Sequence, residues 1–294
     1  MSLYLRRLLA EFVDREHEME RFCRMLDDPE AFVFVVWGPG GVGKSSLQAK
    51  MIHEVANRSL VKSEVIWSET RNHDLMAITR KVRDDLGPKP FEAFTELINF
   101  FTVPRHELNV TLHGQPTIAV AEGASFADAR VGDIGGVIIK DVMIQEPWRD
   151  LQTSESERRA RLTDAFLDGA AAALAERTAV IFFDATEKMS AETEKWVWGE
   201  LLPAVCDGRM GRAKFVLCGR KAPEIDRLLR GAIEVAELNP LSRDYILAYL
   251  GRRGVEEKDR ESVADMLMLA TEGNLFKLAA LVDGYLKLRE SRAG

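Results

Sequence analysis

A run of eight residues, 38–45, reads Gly-Pro-Gly-Gly-Val-Gly-Lys-Ser and constrains the fold more than any other stretch of the chain. Before it, residues 32–37 are continuously apolar, with the aromatic and β-branched composition of a buried strand. After it, residues 44–52 place Leu47, Met51 and Ile52 at helical spacing. The sequence therefore predicts a strand, a tight glycine-rich turn and a helix, in that order.

The same run fits the pattern G-x-x-x-x-G-K-[ST] of phosphate-binding loops at every fixed position. Glycines let several backbone N–H groups point into one concavity, and the N-terminus of the following helix favours anions. We predict that Lys44 contacts the β- and γ-phosphates of a nucleotide and that Ser45 binds Mg²⁺. The alternative is a turn that needs glycine only for its bend. The predicted cofactor-binding residues are Gly38, Pro39, Gly40, Gly41, Val42, Gly43, Lys44, Ser45 and Ser46, of which Ser46 also fits the helix surface.

A second buried strand ends in acidic residues. Residues 179–183 are apolar, and Asp184 and Glu187 follow them. A carboxylate that ends a buried strand is costly without a partner, so a metal ion explains Asp184 well. We predict that Asp184 holds Mg²⁺ through water and that Glu187 is the catalytic base for the attacking water. Glu187 also fits a helix start, and Lys188 beside it could weaken a base, so slow hydrolysis or none stays open.

Three further apolar segments complete a predicted sheet. Residues 63–68, 214–220 and 233–238 alternate with helical sequence, which favours parallel strands joined by right-handed crossovers. The middle segment ends in Arg220, at the position where a sensor of the γ-phosphate would lie, and we assign Arg220 to catalysis with Lys44. The predicted fold class is therefore α/β, a P-loop nucleoside triphosphatase with a five-stranded parallel sheet.

Two regions depart from the alternation of strands and helices. Residues 102–147 contain short alternating apolar pieces separated by Gly, Pro and Asp, which predicts a β-rich insertion. It either contributes to a contact with another chain or is a self-contained addition.

Beyond residue 239 the pattern is helical, with helices predicted at residues 242–252, 258–269 and 274–289. We therefore predict an ATPase core over residues 1–239 and a helical lid over residues 240–294.

Composition favours a globular protein of the reducing cytoplasm. The chain has 294 residues and a formal net charge of -7, so a nucleic-acid partner is not indicated. The three cysteines, Cys23, Cys206 and Cys218, are far apart and indicate neither a disulfide framework nor a zinc site. No stretch reaches the roughly 18 apolar residues needed to cross a bilayer, and the N-terminus is unlike a secretory leader. We expect a cytoplasmic protein without a membrane span.

Six segments together resemble the core of STAND-class ATPases, the NACHT- and NB-ARC-like relatives of the AAA+ and replication-origin ATPases. They are residues 12–16, 38–45, 182–187, 218–220, 238–242 and 273–278. The resemblance implies a sheet order of 5-1-4-3-2, ATP or ADP with Mg²⁺ as cofactors, and a C-terminal helical lid. It also implies that Val13, Arg15 and Leu275 lie near the adenine, with Leu275 in place of the usual proline.

The resemblance also implies a molecular switch. Members of this class bind ATP, oligomerise on activation and drive signalling or anti-invader effectors, usually through additional domains. We expect an ATP-binding and slowly ATP-hydrolysing switch that forms a homo-oligomer or regulates a separately encoded effector protein. Two alternatives stay open: an origin- or clamp-loader-like ATPase that acts on nucleic acid, and a hydrolysis-deficient nucleotide-binding scaffold.

Overall fold

The structure, a computed structural model, describes residues 15–67, 74–102 and 154–293. Backbone contacts divide the chain into two compact units, Met1–Glu92 with Ala165–Gly294, and Ala93–Asp164. The predicted insertion over residues 102–147 lies outside the described residues, except for Thr102, which ends a helix. The first unit contains the sheet, the glycine-rich loop and the C-terminal helices.

Helices and strands alternate along the first unit. Its N-terminal part contains α1 (Glu16–Asp27), β1 (Val33–Trp37), α2 (Lys44–Asn57), β2 (Val61–Ile66), α3 (Leu75–Leu86) and a 3-10 turn (Lys89–Phe91). Helices α4 (Glu92–Thr102) and α5 (Glu155–Ala173) follow, and both carry residues of the second unit. Next come β3 (Ala179–Asp184), a 3-10 turn (Thr186–Lys188), α6 (Ala191–Trp196), a π-helical turn (Val197–Leu201), α7 (Leu202–Cys206), β4 (Ala213–Gly219), a 3-10 turn (Arg227–Leu229) and β5 (Ile233–Glu237).

The sheet of the described residues has the order β2-β3-β4-β1-β5, and all of its pairs are parallel. From the other edge this order reads 5-1-4-3-2, so the predicted order is confirmed. Because the strands are parallel, the carboxyl ends of β1, β3 and β4 lie at one edge of the sheet. The register pairs Trp37 with Gly219 and Phe183 with Leu217. The residues that follow these strands are thereby brought to the same edge.

The central strands are buried along most of their length. Every residue of β4 is buried, as are the first five residues of β3. Strands that are covered on both faces show continuous apolar runs rather than alternation, which is the pattern seen in the sequence. Helices α1 and α2 pack against the sheet through a core that includes Phe22, Met25, Leu47, Met51 and Val55. This packing fixes the axis of α2, and therefore the position of its N-terminus, where the glycine-rich loop ends.

Three helices follow the sheet: α8 (Arg243–Arg252), α9 (Glu257–Thr271) and α10 (Leu275–Ala293). They correspond to the three helices predicted after residue 241, with ends that differ by at most four residues. They form a core of their own from Leu241, Ile246, Tyr249, Leu250, Val255, Val263, Ala264, Leu267, Leu278 and Val282. We call these three helices the lid helices. They belong to the same compact unit as the sheet, and the predicted division at residue 239 stays a prediction.

Candidate nucleotide-binding site

The glycine-rich loop connects the end of β1 to the start of α2. Its conformation requires glycine for two different reasons. At Gly38, a Cβ would lie only 2.4 Å from the carbonyl oxygen of Leu238, so the close approach of two backbones excludes a side chain. Gly41 has a φ of +81°, in the left-handed region that L residues avoid. The loop therefore has a tightly curved backbone that passes close to the residues after β5.

All six carbonyl oxygens of residues 38–43 accept hydrogen bonds from the described chain. The donors are Lys44 Nζ to Gly38 and Pro39 at 2.7 and 2.8 Å, Asn274 Nδ2 to Gly40 at 2.8 Å, Phe276 N to Gly41 at 3.1 Å, Arg15 Nη2 to Val42 at 3.2 Å, and Leu47 N to Gly43 at 2.9 Å. The peptide between Gly38 and Pro39 has no N–H, but each of the other peptide groups is planar and trans, so its N–H points away from its own carbonyl and from that donor. The donors therefore orient the N–H groups of the loop as well as its carbonyls.

Lys44 begins α2, and its ammonium group lies within the curve of the loop. Burial lowers the pKa of Lys44, an effect that the nearby carboxylate of Glu187 opposes. The N–H groups of the first helical turn, which includes Ser45 and Ser46, have no acceptor within the helix. Together with the partial positive charge of the helix N-terminus, they create an electropositive cradle beside the ammonium group. An anion is the ligand that such a cradle favours.

Asp184 ends β3 at the same edge of the sheet. Its Oδ1 accepts a hydrogen bond from the N–H of Ala185 at 2.8 Å, and Ala185 has a left-handed φ of 58° that turns the chain away from the strand. Burial raises the pKa of Asp184, and the neighbouring Glu187 acts in the same direction. The surroundings of Asp184 therefore disfavour its ionised form, and a cation bound nearby would stabilise that form.

Glu187 lies in the 3-10 turn after β3 and forms an ion pair with Arg220. The distance between Glu187 Oε1 and Arg220 Nε is 3.0 Å, with the glutamate side chain 16% exposed and the arginine side chain 62% exposed. The second carboxylate oxygen, Oε2, is buried and has no hydrogen-bond partner among the described residues. A buried carboxylate oxygen without a donor is costly, and water or a ligand group would satisfy it.

Arg220 follows β4 and reaches across the loop. Its guanidinium carbon is 3.6 Å from the place that a Cβ on Gly40 would occupy. Gly219 before it leaves room for the turn after β3, since a Cβ there would lie 2.2 Å from Thr186 Oγ1. The guanidinium of Arg220 therefore lies close to both the glycine-rich loop and Glu187, and its role as a γ-phosphate sensor stays a prediction.

These groups line one pocket of about 580 Å³, which is within the usual range for small-molecule sites. Ten of the predicted site residues line it: Gly40, Gly41, Gly43, Lys44, Ser45, Ser46, Asp184, Glu187, Arg220 and Leu275. Residues that were not predicted also line it, namely Ala185, Lys188, Arg253, Phe276, Ala279 and Asp283. The lid helices therefore form one wall of the pocket and the end of the sheet forms another.

The remaining predicted site residues do not line this pocket. Gly38, Pro39 and Val42 form the back of the loop through their carbonyls. The guanidinium of Arg15 donates to Val42 and, at 2.5 Å, to the carbonyl of Asn239. Arg15 therefore connects the loop to the segment between β5 and α8, and its contact with adenine stays a prediction. Val13 lies outside the described residues.

The residues present fit a magnesium ion bound together with a phosphate. No group of three or more His, Cys, Asp or Glu residues that could hold a metal by themselves occurs in residues 15–67, 74–102 and 154–293. The predicted ligands, Ser45 and Asp184, line the same pocket and offer one hydroxyl and one carboxylate. Mg²⁺ usually keeps several waters and takes further oxygen ligands from substrate phosphates. One or two ligands from the protein are therefore sufficient.

Among known proteins, similarity to this chain was found only with solved structures. No family model and no curated protein matches the sequence. One similar fold is that of Cdc6p from Pyrobaculum aerophilum, which is 14% identical with a TM-score of 0.48; the match covers 92% of this chain and 61% of that one. Another is domain III of the Thermotoga maritima replication initiation protein DnaA, which is 11% identical with a TM-score of 0.46; the match covers 96% of this chain and 88% of that one. The Drosophila ORC bound to DNA is also similar, with 12% identity and a TM-score of 0.49; the match covers 96% of this chain and 62% of that one.

The chain thus spans about three fifths of the Cdc6p and ORC chains that it matches. The class of its fold is assigned from its own strand order and loop geometry: an α/β protein with a five-stranded parallel sheet and a P-loop. Within the described part of the chain, none of the helices has the length and apolar character needed to cross a membrane.

Proposed function

We propose that this chain binds ATP with Mg²⁺ and acts as a STAND-type switch, which regulates its own assembly or a separately encoded effector. One observation carries the proposal: the glycine-rich loop is hydrogen-bonded to the lid helices at the pocket that also contains Lys44, Asp184 and Glu187. A phosphate-type loop that contacts a second set of helices can transmit the presence of its ligand to them. Such transmission is what a nucleotide-controlled switch requires.

In the proposed complex, the polyphosphate lies in the curve of the loop. The ammonium of Lys44 exchanges the carbonyls of Gly38 and Pro39 for β- and γ-phosphate oxygens, which are stronger, charged acceptors. Ser45 and Asp184 hold Mg²⁺, which neutralises phosphate charge when it is bound. Burial prepares both charged side chains for this exchange, because it makes their isolated charges unfavourable.

Hydrolysis in this site would be slow. Glu187 is the candidate base, but Arg220 occupies one of its carboxylate oxygens. A γ-phosphate would compete for the guanidinium and free the carboxylate to accept a proton from water. The ion pair also favours a second candidate function, a nucleotide-binding scaffold that does not hydrolyse ATP. Measured turnover of ATP by the purified protein would separate the two.

The proposal is tested by nucleotide content and by particle size. The purified wild-type protein should retain or bind ATP, and light scattering should show a larger particle, alone or with a co-purified partner, in ATP and Mg²⁺ than in ADP. Lys44→Ala should bind no nucleotide tightly and should keep one size in all conditions. A wild-type protein that binds ATP with no change in size or partner would contradict the switch role.

Addition of duplex DNA to the same samples tests the nucleic-acid alternative, which the net charge of -7 does not favour.

A further inference from the structure

The side chain of Asn274 makes two hydrogen bonds to different parts of the molecule. Its Nδ2 donates to the carbonyl of Gly40 at 2.8 Å, and its Oδ1 accepts from the backbone N–H of Lys277 at 3.2 Å. A carbonyl only accepts and a backbone N–H only donates, so these two partners define the orientation of the side-chain amide. Asn274 therefore caps the N-terminus of α10 and holds the glycine-rich loop at the same time.

The first turn of α10 makes a second contact with the loop, one residue further along. The N–H of Phe276 donates to the carbonyl of Gly41 at 3.1 Å. The fit is close, because a Cβ on Gly41 would lie 2.4 Å from Asn274 Oδ1. Two successive peptide groups of the loop, those after Gly40 and Gly41, are therefore held from the lid side.

We propose that Asn274 is a positioning residue for nucleotide binding and couples the lid helices to occupancy of the phosphate loop. Holding the carbonyl of Gly40 fixes the plane of the peptide, and because the peptide is trans this also fixes the direction of the Gly41 N–H. A glycine backbone otherwise samples many orientations, so an external contact is needed to keep that N–H aimed at a phosphate oxygen. The inference rests on the proposed function, since its ligand is the polyphosphate of the nucleotide.

Coupling through Asn274 acts in both directions. If the lid helices improve the loop as a phosphate site, a bound phosphate must hold the lid helices more firmly by the same factor. Hydrogen bonding at the Gly40 carbonyl and at the Gly41 N–H also strengthen one another, because each polarises the shared peptide group. The contact between Asn274 and Gly40 is therefore the contact through which a nucleotide would stabilise α10 against the loop.

The two hydrogen bonds of Asn274 can be separated by mutation. Asn274→Asp and Asn274→Ser both keep an oxygen that caps α10, since Asp and Ser are as favourable there as Asn. Neither keeps the donor to Gly40, because the carboxylate has no N–H and the serine side chain is shorter. Asp adds a negative charge near the phosphates and Ser does not, so agreement between the variants excludes charge repulsion as the cause. Asn274→Ala removes both hydrogen bonds and shows the effect of losing the cap.

The first measurement is ATP affinity by titration calorimetry on the full chain. Loss of the hydrogen bond to Gly40 should weaken ATP binding about three- to tenfold in both Asn274→Asp and Asn274→Ser. Circular dichroism checks that both variants are folded. Wild-type affinity in two folded variants would overturn the positioning role.

The second measurement needs no nucleotide. Amide hydrogen exchange in the ligand-free protein should be about tenfold faster at Phe276 in both variants, since its acceptor on the loop is no longer held. Exchange at Lys277 should be unchanged, because the cap is retained, and this amide is the internal control. Unchanged exchange at Phe276, with normal ATP binding by the wild type, would overturn this inference alone. Failure of the wild type to bind ATP would overturn the proposed function and, with it, the coupling to nucleotide.

Discussion

Replacement of Gly41 by alanine tests the geometry of the loop with the addition of a single methyl group. Gly41 has a φ of +81°, and the new Cβ would lie 2.4 Å from Oδ1 and 2.7 Å from Nδ2 of Asn274. Both distances are far below van der Waals contact, so the Asn274 side chain must move. The variant therefore strains the backbone and breaks the hydrogen bond to Gly40.

The two effects can be given magnitudes. A left-handed conformation costs an L residue about 1–2 kcal/mol relative to glycine. Loss of the hydrogen bond between Asn274 and Gly40 costs a further 0.5–1.5 kcal/mol or so. The loop can relax to another conformation when no ligand is present, so most of this cost should appear in nucleotide binding rather than in stability. We expect ATP affinity to fall by about 10- to 300-fold in Gly41→Ala.

A matched control separates backbone strain from contact with the lid helices. Gly254 has a similar φ of +79°, but nothing lies within 4 Å of its hypothetical Cβ. Gly254→Ala should lower the melting temperature through strain and leave ATP affinity at the wild-type value. Titration calorimetry with thermal unfolding on the three proteins measures both quantities. Equal ATP affinity in all three proteins would show that the conformation of residue 41 does not determine binding.

Three further substitutions test the acidic and basic groups of the pocket. Glu187→Gln should bind ATP normally but hydrolyse it about 100-fold or more slowly, because the amide cannot accept a proton; a single-turnover rate equal to wild type would remove Glu187 as the base. Arg220→Ala should lose more affinity for ATP than for ADP, and equal losses in paired titrations would contradict a γ-phosphate sensor. Asp184→Asn should weaken ATP binding in excess Mg²⁺ but not in EDTA, and the same loss in both buffers would argue against a metal ligand.

The sheet and the loop were predictable because their signals are local. Apolar runs identify the buried strands β1, β3 and β4, and the helical sequence between strands leaves few possible connections. Lys44 and Asp184 could be proposed as site residues because phosphate and metal chemistry require those residue types at fixed places after a strand. The ends of the helices and strands were less predictable. For example, β2 begins at Val61, two residues before the predicted start. The first half of this strand is mostly polar, so no apolar run marks its beginning.

The contacts that complete the site join residues that are far apart in sequence. Asn274 and Gly40 are separated by 234 positions, and Arg15 and Asn239 by 224. No local pattern reports such a pair, although an Asn before an apolar helical run is a recognisable capping signal. Leu275 lies next to the loop, since a Cβ on Gly43 would lie 3.0 Å from Leu275 Cδ2, and its contact with adenine stays a prediction. The hydrogen bond itself is made by the residue before it.

The ion pair between Glu187 and Arg220 was also not predicted. The sequence suggested separate roles for them, as a base and as a phosphate sensor. Strands β3 and β4 are adjacent, with Phe183 opposite Leu217, so the residues just beyond their ends are neighbours in space. The two side chains meet at 3.0 Å as a result. Their roles are therefore coupled, because whichever anion binds Arg220 changes the charge that surrounds Glu187.

Calorimetric titration of the wild-type protein and of Lys44→Ala with ATP and Mg²⁺ tests whether the glycine-rich loop binds the nucleotide. The ammonium of Lys44 donates hydrogen bonds to two loop carbonyls, and the proposed complex replaces these acceptors with phosphate oxygens. Loss of two charge-assisted hydrogen bonds should weaken binding about 100-fold or more. One ATP should bind per wild-type chain, and none should bind tightly to the variant. Equal ATP affinity in the two proteins, or no binding by the wild type, would contradict nucleotide binding at the glycine-rich loop.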